Sequence, residues 1–158
     1  MEIYFLRHGD AGKSGGSMGD AERPLSKEGT AGMEREAATL AALRIEPDLI
    51  LTSPLVRARQ SAEIVARRLR RLDALKIDDR LAPGFDTAAL REILSEHRAR
   101  AALMLVGHEP DFSRVIASCI GGGRIECKKG ALARIDVEDP GKLSGTLVWL
   151  LPPRVLTP

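Results

Sequence analysis

Three short apolar runs constrain the fold of this chain most, because each is followed by polar residues and then by a helical pattern. The runs are 3–6 (Ile-Tyr-Phe-Leu), 49–51 (Leu-Ile-Leu) and 103–106 (Leu-Met-Leu-Val). Apolar runs of this length are typical of strands that are buried on both faces. Strands that alternate with helices predict a three-layer α/β/α sandwich around a mainly parallel sheet.

Helical patterns follow the first two runs. Apolar residues recur at helical spacing over 33–41, and Ser26 before them predicts a capped helix that continues to about Leu43. After the second run, Ser53 is predicted to be an N-cap and Pro54 the first residue of a helix that begins at once.

The rest of the chain completes the predicted sandwich. Further strands are predicted over 75–77, 132–137 and 147–151, and further helices over 87–98 and 110–120. A turn at 139–141 (Asp-Pro-Gly) separates the last two strands, which predicts an antiparallel pair at one edge of the sheet. With 158 residues, the chain is expected to form one domain over 1–158.

Composition excludes several classes of partner. The chain has 24 Lys and Arg residues against 22 Asp and Glu, and this small bias argues against nucleic acid and acidic membrane surfaces as partners. A basic leader and an apolar stretch of about 18 residues are both absent from the sequence, so we expect a cytoplasmic protein. Cys119 and Cys127 are predicted to be free thiols.

Polar side chains gather where the three apolar runs end. Arg7 and His8 follow the first run, Ser53 and Arg57 follow the second, and His108 follows the third. The carboxyl ends of parallel strands meet at one edge of a sheet, so these groups are expected to share one crevice. Arginine presents a rigid fork of donors to anionic oxygens, and helix N-termini add N–H groups. The sequence therefore predicts an anion pocket, most simply for a phosphoryl group.

The same segments resemble a known family. Arg7-His8-Gly9, the segment 53–61 (Ser-Pro-Leu-Val-Arg-Ala-Arg-Gln-Ser) and Gly107-His108 are similar to the motifs of the histidine phosphatase superfamily, which is also called phosphoglycerate mutase-like. With the segment 23–26 (Arg-Pro-Leu-Ser), the chain is most similar to the SixA-type phosphohistidine phosphatases. The resemblance implies the phosphoglycerate mutase-like sandwich.

The resemblance also implies roles for four residues. His8 would be the nucleophile that takes the phosphoryl group, and Arg7, Arg57 and His108 would bind and stabilise it. Water would then hydrolyse the phosphohistidine, and no metal or other cofactor is expected. Nearby cations oppose protonation of an imidazole, so we expect a lowered pKa for His8. His108 is expected to stay protonated beside the phosphate, and Ser53 is a candidate phosphate ligand.

The general acid has two candidates. Many members of the superfamily protonate the leaving group from a carboxylate, and here Glu109 follows His108 while Asp10 follows the first motif. The alternative for Glu109 is an acidic residue placed favourably at a helix N-terminus. If the substrate is phosphohistidine, the leaving imidazole needs less help from an acid.

Loop lengths indicate the substrate. The predicted loops are short except the glycine-rich loop 10–23, and an open pocket suits a phosphorylated protein side chain. We therefore expect a protein phosphohistidine phosphatase whose partner is the phosphorylated protein. The alternatives are a phosphatase of small phosphomonoesters on the same site and a non-catalytic phosphate-binding module. The arginine-rich run 67–71 is interpreted as a solvated helix face, with docking of an acidic partner as the alternative.

Overall fold

The computed structural model describes residues 1–13 and 17–156, and its first strand lies within a six-stranded sheet. The strands are β1 (Glu2–Arg7), β2 (Leu49–Thr52), β3 (Leu75–Ile77), β4 (Ala102–Gly107), β5 (Leu132–Asp139) and β6 (Ser144–Leu151). Their order is β3-β2-β4-β1-β5-β6. The four strands β1 to β4 run parallel, and β5 and β6 add an antiparallel edge. The predicted mainly parallel sheet with an antiparallel edge is confirmed.

Helices cover both faces of this sheet. They are α1 (Lys27–Ala42), α2 (Val56–Arg68), α3 (Thr87–Glu96), α4 (Asp111–Cys119) and α5 (Pro153–Leu156), with 3-10 turns at Asp20–Glu22, Leu72–Ala74 and Asp79–Leu81. The four residues of α5 were not predicted, because such a short element carries no periodic pattern. The expectation of a single domain over 1–158 stays a prediction, and the continuous sheet supports it.

Alternate residues of β1 separate the two halves of the core. Ile3 and Phe5 pack in the cluster that includes α3 and α4, whereas Tyr4 and Leu6 pack in the cluster that includes α1 and α2. The Phe5 ring meets the Phe112 ring edge to face, with centroids 5.2 Å apart. Burial of each such side chain contributes about 1.5–3 kcal/mol, so the sheet edge that carries the polar groups is anchored from both sides.

Helix starts follow the sequence in one case and depart from it in another. Ser26 caps α1 as predicted, because its side chain accepts a hydrogen bond from the backbone N–H of Gly29. The prediction for Ser53 and Pro54 was wrong, since α2 begins at Val56 and its N-cap is Leu55. Ser53 lies in the preceding turn, where its hydroxyl forms other hydrogen bonds.

The remaining differences are small. The third helix ends at Glu96, so His97 is its half-buried C-cap, and the two tail strands are longer than predicted. Cys119 and Cys127 are buried free thiols, as predicted. Within the predicted loop 10–23, residues 14–16 lie outside the described part of the chain. No helix in the described ranges is both long and apolar enough to cross a membrane.

Candidate active site

The ends of β1, β2 and β4 form the floor of the candidate site. Arg7, the last residue of β1, lies opposite Gly107, the last residue of β4, and Thr52 at the end of β2 lies opposite Val106. The strand ladder continues past the strand ends, because His8 N–H donates to the Gly107 carbonyl at 3.2 Å and Ser53 N–H donates to the Val106 carbonyl at 2.9 Å. The three polar junctions are therefore neighbours.

Two glycines let helices approach these strand ends closely. A Cβ atom at Gly107 would lie 2.7 Å from Cζ of Phe112, and one at Gly9 would lie 2.7 Å from Cγ of Met33. Real Cβ contacts are essentially never that short. The lack of side chains at these two positions allows α4 and α1 to pack directly against the site and to hold its backbone in place.

The hydrogen bonds of His8 define its tautomer. Its Nδ1 lies 2.7 Å from the Gly9 carbonyl oxygen, which can only accept, so Nδ1 carries the proton. Nε2 then has the free lone pair, and it accepts a hydrogen bond from Nε of Arg57 at 3.2 Å. The backbone thus leaves the lone pair of His8 on Nε2, on the side of Arg57.

Burial keeps this imidazole neutral. His8 is only 7% exposed, and its pKa is lowered to about 4, first by burial and then by the charges of Arg57 and Arg7. The hydrogen bond to Gly9 acts in the opposite direction. The sequence predicted the direction of this shift from the two arginines, but burial is the larger cause.

His108 lies across the crevice from His8, with ring centroids 5.1 Å apart. Its Nε2 lies 2.7 Å from Oγ of Ser53, and the Ser53 hydroxyl also accepts a hydrogen bond from the Leu55 N–H. Burial lowers the pKa of His108 to about 3, with further lowering from His8 and Arg57. His108 of the protein alone is therefore neutral at pH 7, and its protonation beside a bound phosphate stays a prediction. A dianionic phosphoryl group beside the ring would raise that pKa.

The two arginines contribute in different ways. Arg57 is 5% exposed, and its guanidinium donates to Nε2 of His8, to the Asp20 carbonyl oxygen at 2.7 Å and to the Asp20 carboxylate at 3.0 Å. Arg7 donates from Nη1 to the Cys127 carbonyl oxygen at 2.8 Å. Its positive charge reaches both histidines, because it lowers the pKa of each.

Two buried polar atoms at this edge have no hydrogen-bond partner among the residues that the structure describes. They are Nε of Arg7 and Nδ1 of His108. Buried polar groups in proteins nearly always have a partner, so orphaned ones call for an explanation. A bound anion that accepts from both side chains would supply it, in keeping with the predicted phosphoryl pocket.

Sequence reasoning missed Ser61 and Asp20. The Ser61 hydroxyl accepts from the Gly9 N–H at 3.1 Å and donates to the Arg57 carbonyl at 2.8 Å, so it ties the β1 end to α2. One signal could have found it, because Ser61 follows Arg57 by one helical turn within the segment 53–61. Asp20 had no comparable signal, since its loop carries no periodic pattern.

The two candidate acids have other partners. Asp10 forms an ion pair with Lys129 at 2.5 Å and accepts hydrogen bonds from Ser26 and Gly12, and these contacts lower its pKa to about 2. The Glu109 carboxylate accepts from the backbone N–H and the hydroxyl of Ser113, at 3.0 and 2.6 Å. Asp10 is therefore anionic at pH 7, and Glu109 satisfies donors of the first turn of α4.

A family model described as "Histidine phosphatase superfamily (branch 1)" matches residues 3–83. This match covers just over half of the chain and includes Arg7, His8, Ser53 and Arg57. The chain belongs to the histidine phosphatase superfamily, and it is a phosphatase. Its sheet order and two-sided helix layers are those of the phosphoglycerate mutase-like fold.

Two relatives and one solved structure extend the match along the whole chain. An uncharacterized protein of Picosynechococcus sp. is 34% identical over 96% of this chain and 100% of its own length. The phosphohistidine phosphatase SixA of Escherichia coli is 27% identical over 97% of this chain and 94% of its own length. The structure of the protein histidine phosphatase SixA complexed with tungstate has a TM-score of 0.86, at 24% identity and 98% coverage of both chains. Within the superfamily, the chain is thus similar to the SixA-type phosphatases.

Proposed function

We propose that this chain is a protein phosphohistidine phosphatase that forms a covalent intermediate on His8. The observation that carries the proposal is the fixed tautomer of His8, in which Nδ1 donates to the Gly9 carbonyl and the lone pair stays on Nε2, where it accepts from Nε of Arg57. The similarity to SixA of Escherichia coli supports the choice of phosphohistidine as the substrate.

The first step transfers the phosphoryl group to the enzyme. Nε2 of His8 attacks phosphorus, the P–N bond of the substrate phosphohistidine breaks, and its electron pair goes to the departing imidazole nitrogen. Charge on the equatorial oxygens is balanced by Arg7, Arg57 and His108, because a loose transition state needs positioning and electrostatic stabilisation rather than covalent help. The orphaned Nδ1 of His108 is suited to donate to one of these oxygens.

The second step releases phosphate. Nδ1 of His8 stays protonated and donates to the Gly9 carbonyl, so the phosphorylated ring is an imidazolium. The ring then leaves phosphorus as a neutral imidazole, which is a better leaving group than an imidazolide anion. Water attacks phosphorus, the new P–N bond breaks, and its electrons return to Nε2. The water proton goes to the released phosphate or to solvent, and His8 is again neutral.

The contacts of the two carboxylates support phosphohistidine over an alkyl phosphoester. An alkoxide leaving group needs a proton in the transition state, whereas a departing imidazole nitrogen needs much less help. Asp10 is ionised and tied to Lys129, and Glu109 is held by Ser113. Neither contact set favours proton donation.

A second candidate function is hydrolysis of small phosphomonoesters on the same site. One observation favours it, a cavity of about 260 Å³ beside Asp20 that is also lined by Met18, Arg23 and Leu25. Asp20 connects this space to Arg57, so the organic part of a small ester bound at Arg57 would have room there.

Turnover of a phosphohistidine protein and of a panel of metabolite phosphates separates the two functions. We expect the phosphohistidine protein to give the larger kcat/KM by at least about tenfold, since its leaving group needs much less help from an acid. The same assays on His8→Gln test whether turnover depends on His8. His97→Gln is the matched control for this substitution, because His97 lies outside the site at the end of α3. A larger kcat/KM on any metabolite phosphate would favour the second function, and absence of turnover on every substrate would favour a phosphate-binding module.

A further inference from the structure

The Arg57 side chain connects an exposed aspartate, Asp20, to the proposed nucleophile, His8. The Asp20 carboxylate accepts from Nη2 of Arg57 at 3.0 Å and from Nη2 of Arg23 at 2.8 Å. The Asp20 carbonyl accepts from Nη1 of Arg57 at 2.7 Å, and Nε of Arg57 donates to Nε2 of His8 at 3.2 Å. The hydrogen bonds of Arg57 are therefore divided between the loop and the nucleophile.

These hydrogen bonds of Arg57 have to be exchanged before phosphoryl transfer. The lone pair of His8 that attacks phosphorus is the one that accepts from Nε of Arg57. The terminal N–H groups of Arg57, which should face the phosphoryl oxygens, are directed at Asp20. A carboxylate and a phosphoryl group both offer anionic oxygens to the same guanidinium fork, so they compete for it.

We propose that Asp20 is an autoinhibitory latch, whose carboxylate occupies Arg57 in the protein alone and is displaced by the incoming phosphoryl group. This inference rests on the proposed function of the same site. A phosphoryl dianion brings two charges and three oxygens, so it displaces the carboxylate, whereas a monoanion such as acetate is at a disadvantage.

The difference in burial explains why Asp20 is the partner that moves. The Arg57 side chain is 6% exposed, and a buried cation without a partner is costly, so an anion has to stay beside it. The Asp20 side chain is 62% exposed and regains water when it is released. Its bond to Arg57 holds the pKa of Asp20 below the usual range, so the competing group is anionic at pH 7.

Arg23 keeps the displaced carboxylate nearby. It donates from Nη2 to Asp20 and from Nη1 to the Gly12 carbonyl at 3.0 Å, which anchors it to the segment after β1. Since the Arg23 contact uses the other carboxylate oxygen, it can persist when Asp20 releases Arg57. The latch can then close again after phosphate leaves.

The test measures binding of inorganic phosphate, tungstate and acetate by calorimetry to the wild type and to Asp20→Asn. Asparagine keeps the shape of the side chain but removes its charge, so phosphate should bind about three- to tenfold more tightly. Acetate should gain by a similar factor, because both anions compete with the same carboxylate for Arg57. Glu22→Gln is the matched control, because Glu22 is an exposed acid in the same turn, and its effect should stay below about twofold.

Two further backgrounds locate the effect. In Arg57→Lys, which lacks the fork, Asp20→Asn should no longer tighten phosphate binding. In Arg23→Gln the gain should persist, which excludes the freed Arg23 as its source. Weaker phosphate binding by Asp20→Asn, an equal effect of Glu22→Gln, or an undiminished gain in Arg57→Lys would each overturn the latch.

The latch and the proposed function can fail separately. If His8 forms a phosphoenzyme but Asp20→Asn does not tighten phosphate binding, only the latch is wrong. If Asp20→Asn tightens binding through Arg57 but no phosphoenzyme forms on His8, the latch stands as a property of an anion site and the catalytic proposal is wrong.

Discussion

The junctions after β1 and β4 both place a neutral, buried histidine at the end of a parallel strand, but they treat its two nitrogens in opposite ways. Nδ1 of His8 is hydrogen-bonded to the Gly9 carbonyl, and its Nε2 faces Arg57. Nε2 of His108 is hydrogen-bonded to the Ser53 hydroxyl, and its Nδ1 has no partner among the described residues. The same local pattern, a histidine after a buried strand, therefore yields two imidazoles that differ in which ring nitrogen is hydrogen-bonded within the protein.

The kind of partner explains the difference. A backbone carbonyl can only accept, so it fixes one tautomer of His8 throughout the reaction. A serine hydroxyl can donate or accept, so His108 can hold a proton on either nitrogen or on both. A fixed tautomer suits a nucleophile, which needs a lone pair on one particular nitrogen. A partner that can donate or accept suits a side chain that gains a proton when an anion binds beside it.

The largest expected effect is loss of His8, the proposed nucleophile. His8→Gln should lower kcat by at least about 10⁴-fold, because the proposed covalent intermediate forms on this side chain. Steady-state rates on a phosphohistidine protein check this, and His97→Gln should remain within about twofold of the wild type. Comparable losses from both substitutions would remove the distinction between His8 and the other histidines.

Loss of His108 should cost less and leave the first step detectable. His108→Gln should lower kcat by about 10²–10³-fold, the usual cost of removing one donor to developing charge. Rapid quench with labelled substrate should still show phosphate on His8. If His108→Gln abolished the phosphoenzyme while His8→Gln did not, the two roles would be reversed.

The Ser53 hydroxyl should act through His108. Ser53→Ala should lower kcat about tenfold in the wild type and have little further effect in His108→Gln, because the two substitutions remove one interacting unit. A double-mutant cycle on kcat measures this coupling. Additive losses would show that Ser53 binds the phosphoryl group independently.

The pH dependence of stability should also report the buried, neutral histidines. In the unfolded chain a histidine binds its proton near pH 6.5, whereas His8 binds it only near pH 4. Between these values the unfolded state holds more protons, so the unfolding free energy should fall as pH falls from about 6.5 to 4. Between pH 6.5 and 4, the loss of unfolding free energy should be about 3 kcal/mol smaller in His8→Gln than in the wild type, as measured by urea unfolding. An unchanged slope would mean that His8 is not buried in its neutral form.

The acids that follow the two histidines should have the smallest effects. Glu109→Gln and Asp10→Asn should each lower kcat by less than about tenfold, and equally for an aryl phosphate and for an ester with a poor leaving group. Glu109→Gln should also cost about 1 kcal/mol of stability, since the Ser113 N–H loses a charged acceptor. A selective loss on the poor leaving group would identify the substituted residue as the general acid.

Local sequence signals predicted the scaffold better than they predicted the contacts of the site. The buried run before Arg7 and the capping serine of α1 were readable because their consequences lie within a few residues. The N-cap prediction for Ser53 failed because its hydroxyl is bonded to a histidine 55 positions away. Asp20 was missed for the same reason, since its contact with Arg57 spans 37 positions. The contact of Ser61 with Gly9 spans 52 positions, and only its spacing from Arg57 is a local signal.

The cause of the His8 pKa shift was also beyond the sequence. Two neighbouring arginines could be anticipated from the motifs, but the degree of burial depends on the groups that pack around the ring in the folded chain, among them Arg57 and His108. A one-dimensional pattern gives the charges near a residue more readily than its access to water.

The most direct test of the account is the position of the phosphoryl group on the trapped enzyme. Nitrogen-15 and phosphorus-31 NMR of the acid-labile phosphoenzyme distinguish the two nitrogens of each histidine. The fixed tautomer predicts phosphate on Nε2 of His8, with the proton retained on Nδ1. Phosphate on Nδ1 of His8, or on His108, would contradict it.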